Sequence, residues 1–359
     1  MIENNNCFDI IPDIQGFGLK KYAALDFESK AGLPLMMHLD EIFTSYENDL
    51  KIVEDRIRDL FKSPVFNIPM IGKHILDGGG KRLRPLILLL SAELSGCRND
   101  TRYLLAAIVE SIHTASLLHD DVIDGADIRR GKTPAHAIWG NQVVILVGDY
   151  LYSNALRLAV LQKSQKIMES LSEATTRMTE AEILQLLKTA DPDITEEEYL
   201  NIITGKTAVL ISAACRIGAI LGSVTDDRER ALANFGRKTG IAFQMADDIL
   251  DYMADEAELG KRLGKDLKEG KITVPLIYLL KAASENELEE IKAIIKGSFK
   301  ISGLKKILKL FKRYDTIDLS LKKAERLISE AKNELAVFPD SPAKEALYTI
   351  ADYTLLRKK

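Results

Sequence analysis

The stretch 240-GIAFQMADDILDYMAD-255 sets three aspartates, Asp247, Asp248 and Asp251, among Ile241, Phe243, Met245, Ile249 and Leu250. Its apolar residues fit a helix covered over most of its circumference, which a solvated surface helix is not. A carboxylate enclosed in such a helix without a partner is costly, so it either takes up a proton or finds a cation. The stretch therefore predicts a buried helix whose acids are neutralised by something the fold brings to them.

Working outward, the same spacing occurs earlier, in 118-LHDDVIDGADIRRGKTPAH-136. On a helix turning about 100° per residue, Asp120 and Asp124 lie one turn apart on one face and Asp121 on its flank. Like charges so placed repel by a few tenths of a kcal/mol, and a cation removes that repulsion. Carboxylates are hard oxygen ligands suited to Mg²⁺, which typically keeps several waters and accepts phosphate oxygens from a substrate. A single acidic motif of this kind can be a solvated helix end; two of them, one in an apolar helix, point to a metal cluster holding a diphosphate.

Cationic groups accompany the acids. In 78-GGGKRLRPLILLL-90, glycines that let backbone approach an anion precede Lys81, Arg82 and Arg84. No Ser or Thr follows Lys81, so this is not a nucleotide-binding phosphate loop. Arg129 and Arg130 offer forked donors for phosphate oxygens. His113 stands two turns before Asp120 on nearly the same face, 205-GKTAVL-210 carries Lys206 and Thr207, and 260-GKRLGKDLKEGK-271 carries Lys261, Lys265 and Lys271.

Helical periodicity runs almost unbroken from Leu39, as in Ile52, Val53, Ile57, Leu60 and Phe61. Thr195 with Glu198 predicts a capping box, and Thr225 before Asp226 and Asp227 a second helix start. No repeat or linker divides the chain, so the expectation is one all-α domain over residues 36–359. Residues 1–35, punctuated by Pro12, Gly16, Gly18, Gly32 and Pro34, are expected to be a poorly structured extension. The net charge of −4 among 359 residues leaves no global basic field for nucleic acid. Three widely spaced cysteines, Cys7, Cys97 and Cys215, suit reduced thiols in a cytoplasmic protein. The N-terminus does not read as a secretory signal, and the apolar run 208–222 falls short of a bilayer span and is interrupted by Arg216, so no transmembrane segment is expected.

Taken together, GGGKRLRP at 78–85, HTASLLHDDVIDGADIRRG at 113–131, WGNQVVILVGD at 139–149, GKT at 205–207 and FQMADDILD at 243–251 resemble the trans-isoprenyl diphosphate synthases, or polyprenyl synthetases. The resemblance extends from about Leu39 to the C-terminus. It implies a single-domain all-α isoprenoid synthase bundle of ten or more helices around a central cavity, acting as a homodimer. It implies Mg²⁺, three ions per site, held by Asp120, Asp121, Asp124, Asp247, Asp248 and Asp251. Arg129, Lys206, Lys261 and Lys271 would contact an allylic diphosphate, and Lys81, Arg84, His113 and Arg130 isopentenyl diphosphate. Gln244 and Thr207 would line the reacting centre; with Asp120, Asp124, Asp247 and Lys206, Gln244 belongs to the implied catalytic set.

Charge stabilisation of a leaving diphosphate, attack by the double bond of isopentenyl diphosphate and proton loss lengthen the chain by five carbons. One turn before Asp120 stand Ala115 and Ser116, small where short-chain members of the family commonly place aromatics, which implies a long product such as a quinone side chain. A medium-chain synthase, or the catalytic subunit of a heteromeric one, is the alternative. A terpene cyclase has no need of Lys81, Arg84 and Arg130, and a non-catalytic helical partner has no need of two intact acidic motifs.

Overall fold

The computed structural model describes residues 38–129, 131–253 and 263–356, all within one compact unit, Met37–Lys359. The expected extension at 1–35 lies outside the described residues, as do Arg130 and Lys261. The described residues are helical, without a named strand. In chain order the helices are α1 (Leu39–Ser45), α2 (Glu47–Leu60), α3 (Asn67–Leu76), α4 (Leu83–Leu94), α5 (Thr101–Ile123) and α6 (Ala135–Trp139). They continue with α7 (Asn141–Val160), α8 (Gln165–Leu187), α9 (Glu196–Ile203), α10 (Val209–Leu221) and α11 (Asp226–Leu250). The last six are α12 (Lys265–Lys268), α13 (Val274–Ala282), α14 (Glu285–Lys296), α15 (Ile301–Arg313), α16 (Thr316–Glu334) and α17 (Pro342–Leu356).

Two helices that are apolar around most of their circumference explain how the others assemble. α4 sends Leu86, Ile87 and Leu90 into one buried cluster and Leu88 and Leu89 into a second; α10 does the same with Ile211, Cys215 and Ala219 against Leu210, Ala214 and Ile217. A helix apolar over two opposite faces is stable only between two apolar layers, so α4 and α10, packed on each other, become the wall between the clusters. The second acidic helix, α11, packs on α10 and α16 on one side of that wall, while the first, α5, packs on α7, α2 and α4 on the other.

The capping box at Thr195 forms as expected: its hydroxyl accepts from Glu198 N at 3.1 Å and its N–H donates to Glu198 Oε2 at 2.8 Å. Thr225 also precedes a helix, yet its side chain makes no cap bond there. The apolar run at 208–222 is longer in structure than in sequence. α9, a π-helical turn over Thr204–Ala208 and α10 join into one helical run, Glu196–Leu221, and this and Asn141–Val160 are each long and apolar enough to cross a membrane by length and composition alone. Of the most apolar windows, 72% is buried within the fold in the first run and 33% in the second, so the first is a core helix. Cys97 and Cys215 are buried free thiols, and burial pushes Cys215 up to about 12.

Glu196, at the start of α9, ties that run to its neighbours. It accepts from Tyr278 Oη and Lys281 Nζ of α13, both at 3.0 Å, and from Lys323 of α16. Burial alone would raise its pKa, but these donors together hold it down at about 2 against an ordinary 4.5. A depressed carboxylate contributes stability that is present above its unfolded pKa and is lost as pH falls through the folded one. Glu196→Gln is therefore expected to cost about 1–3 kcal/mol at pH 7 in urea melts, with the gap to the parent shrinking as pH falls below 4.5. An unchanged midpoint at pH 7 would mean that desolvation cancels the three bonds.

Candidate active site

Both acidic motifs sit where their helices end. α5 stops at Ile123 with Asp124 as its C-cap, and α11 stops at Leu250 with Asp251 as its C-cap. Helix C-termini carry partial negative charge, so acids there are disfavoured unless a cation joins them. The position of α5 relative to α7 depends on Gly148: a Cβ there would lie 2.4 Å from His119 Nε2. His119, the residue before Asp120, reaches Ile145 O at 3.1 Å and Asp149 at 3.3 Å through the same nitrogen.

A lysine and an aspartate link the two motifs: Lys271 N donates to Asp266 O, and Asp266 N to Asp251 Oδ2. Lys271 Nζ lies 3.4 Å from Asp124 Oδ2 and 2.7 Å from Glu269 Oε2. Burial would lower its pKa, but Glu269, Asp124 and Asp266 outweigh that and keep it firmly protonated. Burial raises the pKa of Asp266, and Asp248, Asp251 and Asp247 add to the rise. The end of α5 and the end of α11 thus meet at one acidic centre. A separate cavity of about 570 Å³, lined by Glu169, Glu173, Arg177, Glu180 and Arg216, shares no residue with either motif. Charge convergence, rather than volume, identifies the site.

The individual acids differ. Burial pushes Asp120 up to about 6, with Lys206 and Arg129 opposing the rise and Glu182 and Asp124 adding to it. Asp121 is buried and pairs with Arg129 at 3.4 Å. Asp251 Oδ2 accepts from Asp266 N at 3.0 Å, which ties α12 to the end of α11. Asp248, expected among the metal ligands, is 6% exposed and has both oxygens occupied, one by Tyr199 Oη at 2.7 Å and the other by Gln244 Nε2 at 2.8 Å. Among the described residues no three His, Cys, Asp or Glu side chains already stand as a metal-binding group.

The basic residues fall into two kinds. Arg82 is structural: its backbone is left-handed at φ 50°, and its buried guanidinium pairs with Glu54 at 3.3 Å and Glu110 at 3.2 Å. Lys81 is exposed and donates to Tyr353 Oη of α17 at 2.6 Å. Arg84 and His113 are half-buried. Lys206 pairs with Glu182 of α8 at 2.8 Å, and Thr207 donates to Gln244 Oε1 at 2.7 Å. Of the two residues read as chain-length determinants, Ser116 is half-buried and donates to His113 O at 2.8 Å, whereas Ala115 is fully buried in the second core cluster.

Sequence reasoning passed over Glu182, Tyr199, Asp266 and Tyr353. Asp266 stands inside the lysine-rich loop and could have been noted; the other three carry no local signal.

Residues 67–311 match the model of the polyprenyl synthetase family. The chain belongs to that family. Octaprenyl diphosphate synthase of Escherichia coli (strain K12) is 38% identical over 323 residues, 90% of this chain and 100% of that one. A decaprenyl diphosphate synthase from Rhodobacter capsulatus superposes with a TM-score of 0.85 at 37% identity, covering 89% of this chain and 98% of that one. A polyprenyl synthase from Caulobacter crescentus CB15, complexed with calcium and isoprenyl diphosphate, gives 0.84 at 38%, covering 91% and 100%. This polyprenyl synthetase is a prenyltransferase, and its all-α architecture is that of its structural neighbours.

Proposed function

We propose that this enzyme is a long-chain trans-polyprenyl diphosphate synthase, adding isopentenyl diphosphate head to tail to an allylic diphosphate. The observation that carries the reading is the approach of the two acidic helix ends through Lys271, which pairs with Asp124, and Asp266, which is bonded to both Lys271 and Asp251, in a chain whose relatives include octaprenyl and decaprenyl synthases. The acid set fits Mg²⁺: hard oxygen donors, crowded at negative helix ends, one of them raised in pKa by burial and by neighbouring carboxylates. Asp120 and Asp124 on one side and Asp247 on the other are the residues to hold the ions, three per site. The Caulobacter relative complexed with calcium and isoprenyl diphosphate supports divalent-metal use. Bound there, Mg²⁺ supplies charge neutralisation for the departing diphosphate.

The chain's own residues do the remainder. Lys206, fixed by Glu182, and Lys271, fixed by Glu269, present ammonium groups to the allylic diphosphate, and Arg129 and Lys261 complete that shell. Lys81, Arg84, His113 and Arg130 bind the diphosphate of isopentenyl diphosphate, holding its double bond against the allylic carbon. Thr207 and Gln244 line the reacting centre between them. Asp121, paired with Arg129, and Asp251, bonded to Asp266 N, flank the metal set, and Asp248 lies beside it, bonded to Tyr199 and Gln244.

Two further assignments belong to this reading. The apolar surface of α7, with Ile145 39%, Leu146 66% and Val160 55% exposed, supports burial against a second copy, hence a homodimer. Buried free thiols at Cys97 and Cys215 support a reducing, cytoplasmic setting.

The test is mass analysis of the products that the purified protein alone forms from isopentenyl and farnesyl diphosphates. The expected main product has seven to ten isoprene units, about five carbons being added per turnover of the cycle described by the charge-stabilised ionisation. A main product of four units or fewer would replace the long-chain reading with the medium-chain one, and no product without an added subunit would make this the catalytic half of a heteromeric enzyme.

A further inference from the structure

Four side chains from three helical segments form a hydrogen-bonded series at the end of α11. Tyr199 Oη donates to Asp248 Oδ2 at 2.7 Å, Gln244 Nε2 donates to Asp248 Oδ1 at 2.8 Å, and Thr207 Oγ1 donates to Gln244 Oε1 at 2.7 Å. Tyr199 and Asp248 are 3% and 6% exposed, so water does not compete for these bonds. Burial and the adjoining carboxylate raise the Tyr199 phenol far above its ordinary range, which keeps it a donor.

The series runs one way in the structure. The amide of Gln244 turns its NH₂ to Asp248 and its oxygen to Thr207, the orientation that an ionised Asp248 requires. The opposite amide orientation would place two acceptors against each other at Asp248. Thr207 therefore spends its single proton on Gln244, and only lone pairs remain for whatever else its hydroxyl meets.

The frame around the series is rigid. Thr207 lies in the π turn, where Gly205 packs so closely on α8 that a Cβ would stand 2.5 Å from Ala181 Cβ and 2.7 Å from Arg177 O. On the other side, a Cβ at Gly240 of α11 would meet Ala208 Cα at 2.5 Å. The turn carrying Lys206 and Thr207 is thus clamped between α8 and α11, and the orientation of Gln244 is the adjustable element left within it.

We propose that Tyr199 and Asp248 are positioning residues: the phenol holds the Asp248 carboxylate, and the carboxylate holds Gln244 and, through it, Thr207 in one orientation at the reacting centre. Asp248 does this in place of ligating metal. The proposal rests on the reading that Gln244 and Thr207 line that centre. It accounts for a buried acid with a protein donor on each oxygen, next to Asp247 in the proposed metal set.

A double-mutant cycle in kcat tests it. Tyr199→Phe removes one hydroxyl and is expected to lower kcat about tenfold, the scale of one buried hydrogen bond to a charged group, with KM for both substrates within about twofold. Gln244→Ala is expected to lower kcat by more. The combined variant should be no slower than Gln244→Ala alone, to within about twofold, because Tyr199 acts only through Gln244. A combined loss equal to the product of the two single losses overturns the proposal and leaves Tyr199 a stabilising residue.

Calorimetry supplies a readout without turnover. With inorganic diphosphate present, Mg²⁺ affinity should stay within about twofold of the parent in Tyr199→Phe, which leaves the charge of Asp248 in place, whereas a tenfold or larger loss there would make Tyr199 a support of the metal site and overturn the proposal. Wild-type kcat in Gln244→Ala is a different failure: it removes Gln244 from the reacting centre and overturns the reading beneath the proposal together with it.

Discussion

Asp120→Ala lowers kcat at least about a hundredfold, and Asp247→Ala does the same from the opposite helix, because each removes charge stabilisation worth several kcal/mol at the leaving diphosphate. Steady-state rates with saturating substrates and Mg²⁺ measure it, and chelation should bring the parent enzyme below either variant. A merely destabilised variant would also lose activity, but Asp120 offers a way to separate the two. Its folded pKa of about 6 lies above the ordinary 3.8. A carboxylate raised on folding opposes folding wherever it is ionised, so at pH 7 its removal should stabilise the metal-free protein, by up to about 2 kcal/mol. Loss of activity with an unchanged or higher melting temperature in chelator is the expected pair of results. Near-normal turnover in Asp120→Ala or Asp247→Ala would remove the metal-cluster reading altogether.

The same residues show what could be read before any coordinates. Helix-forming periodicity, the Thr195 capping box and the two acidic motifs are local patterns, and each of them appears where the spacing put it. What spacing could not distinguish is the fate of each acid. Asp247 and Asp248 are neighbours in an identical composition, yet they point about 100° apart on the helix, and only the fold reveals that Tyr199, forty-nine residues earlier, waits for one of them. Glu182 and Tyr199 occupy ordinary amphipathic helices and gain meaning from contacts that no local rule encodes. The π turn at Thr204–Ala208 is similar: its sequence reads as plain helix, and close packing of Gly205 on α8 and of Ala208 on α11 accompanies the extra residue.

Ser116→Phe is expected to shorten the main product. Ser116 lies one turn before Asp120 and therefore beneath it on the same side of α5, and it is half-buried. Its hydroxyl bonds within its own helix, to His113 O, and among the described residues the substitution breaks no link to another element. A phenyl ring there would occupy space that a growing chain must enter. Each isoprene unit kept out forfeits about 4 kcal/mol of apolar burial, at about 0.8 kcal/mol per carbon, so elongation should stop at the first unit that no longer fits and turnover of short primers should persist. Ala115→Tyr is a different experiment. Ala115 is fully buried in the core cluster that α5 shares with α7 and α4, where a tyrosine forces displacement costing about 1–3 kcal/mol or more. Its expected signature is a lowered melting temperature with little or no change in chain length. Thin-layer separation of dephosphorylated products resolves the two cases. If Ser116→Phe makes the parent's product while Ala115→Tyr makes a shorter one, the floor of the site is formed on the flank of α5 that faces its neighbours, and the residues to test next are those of α7.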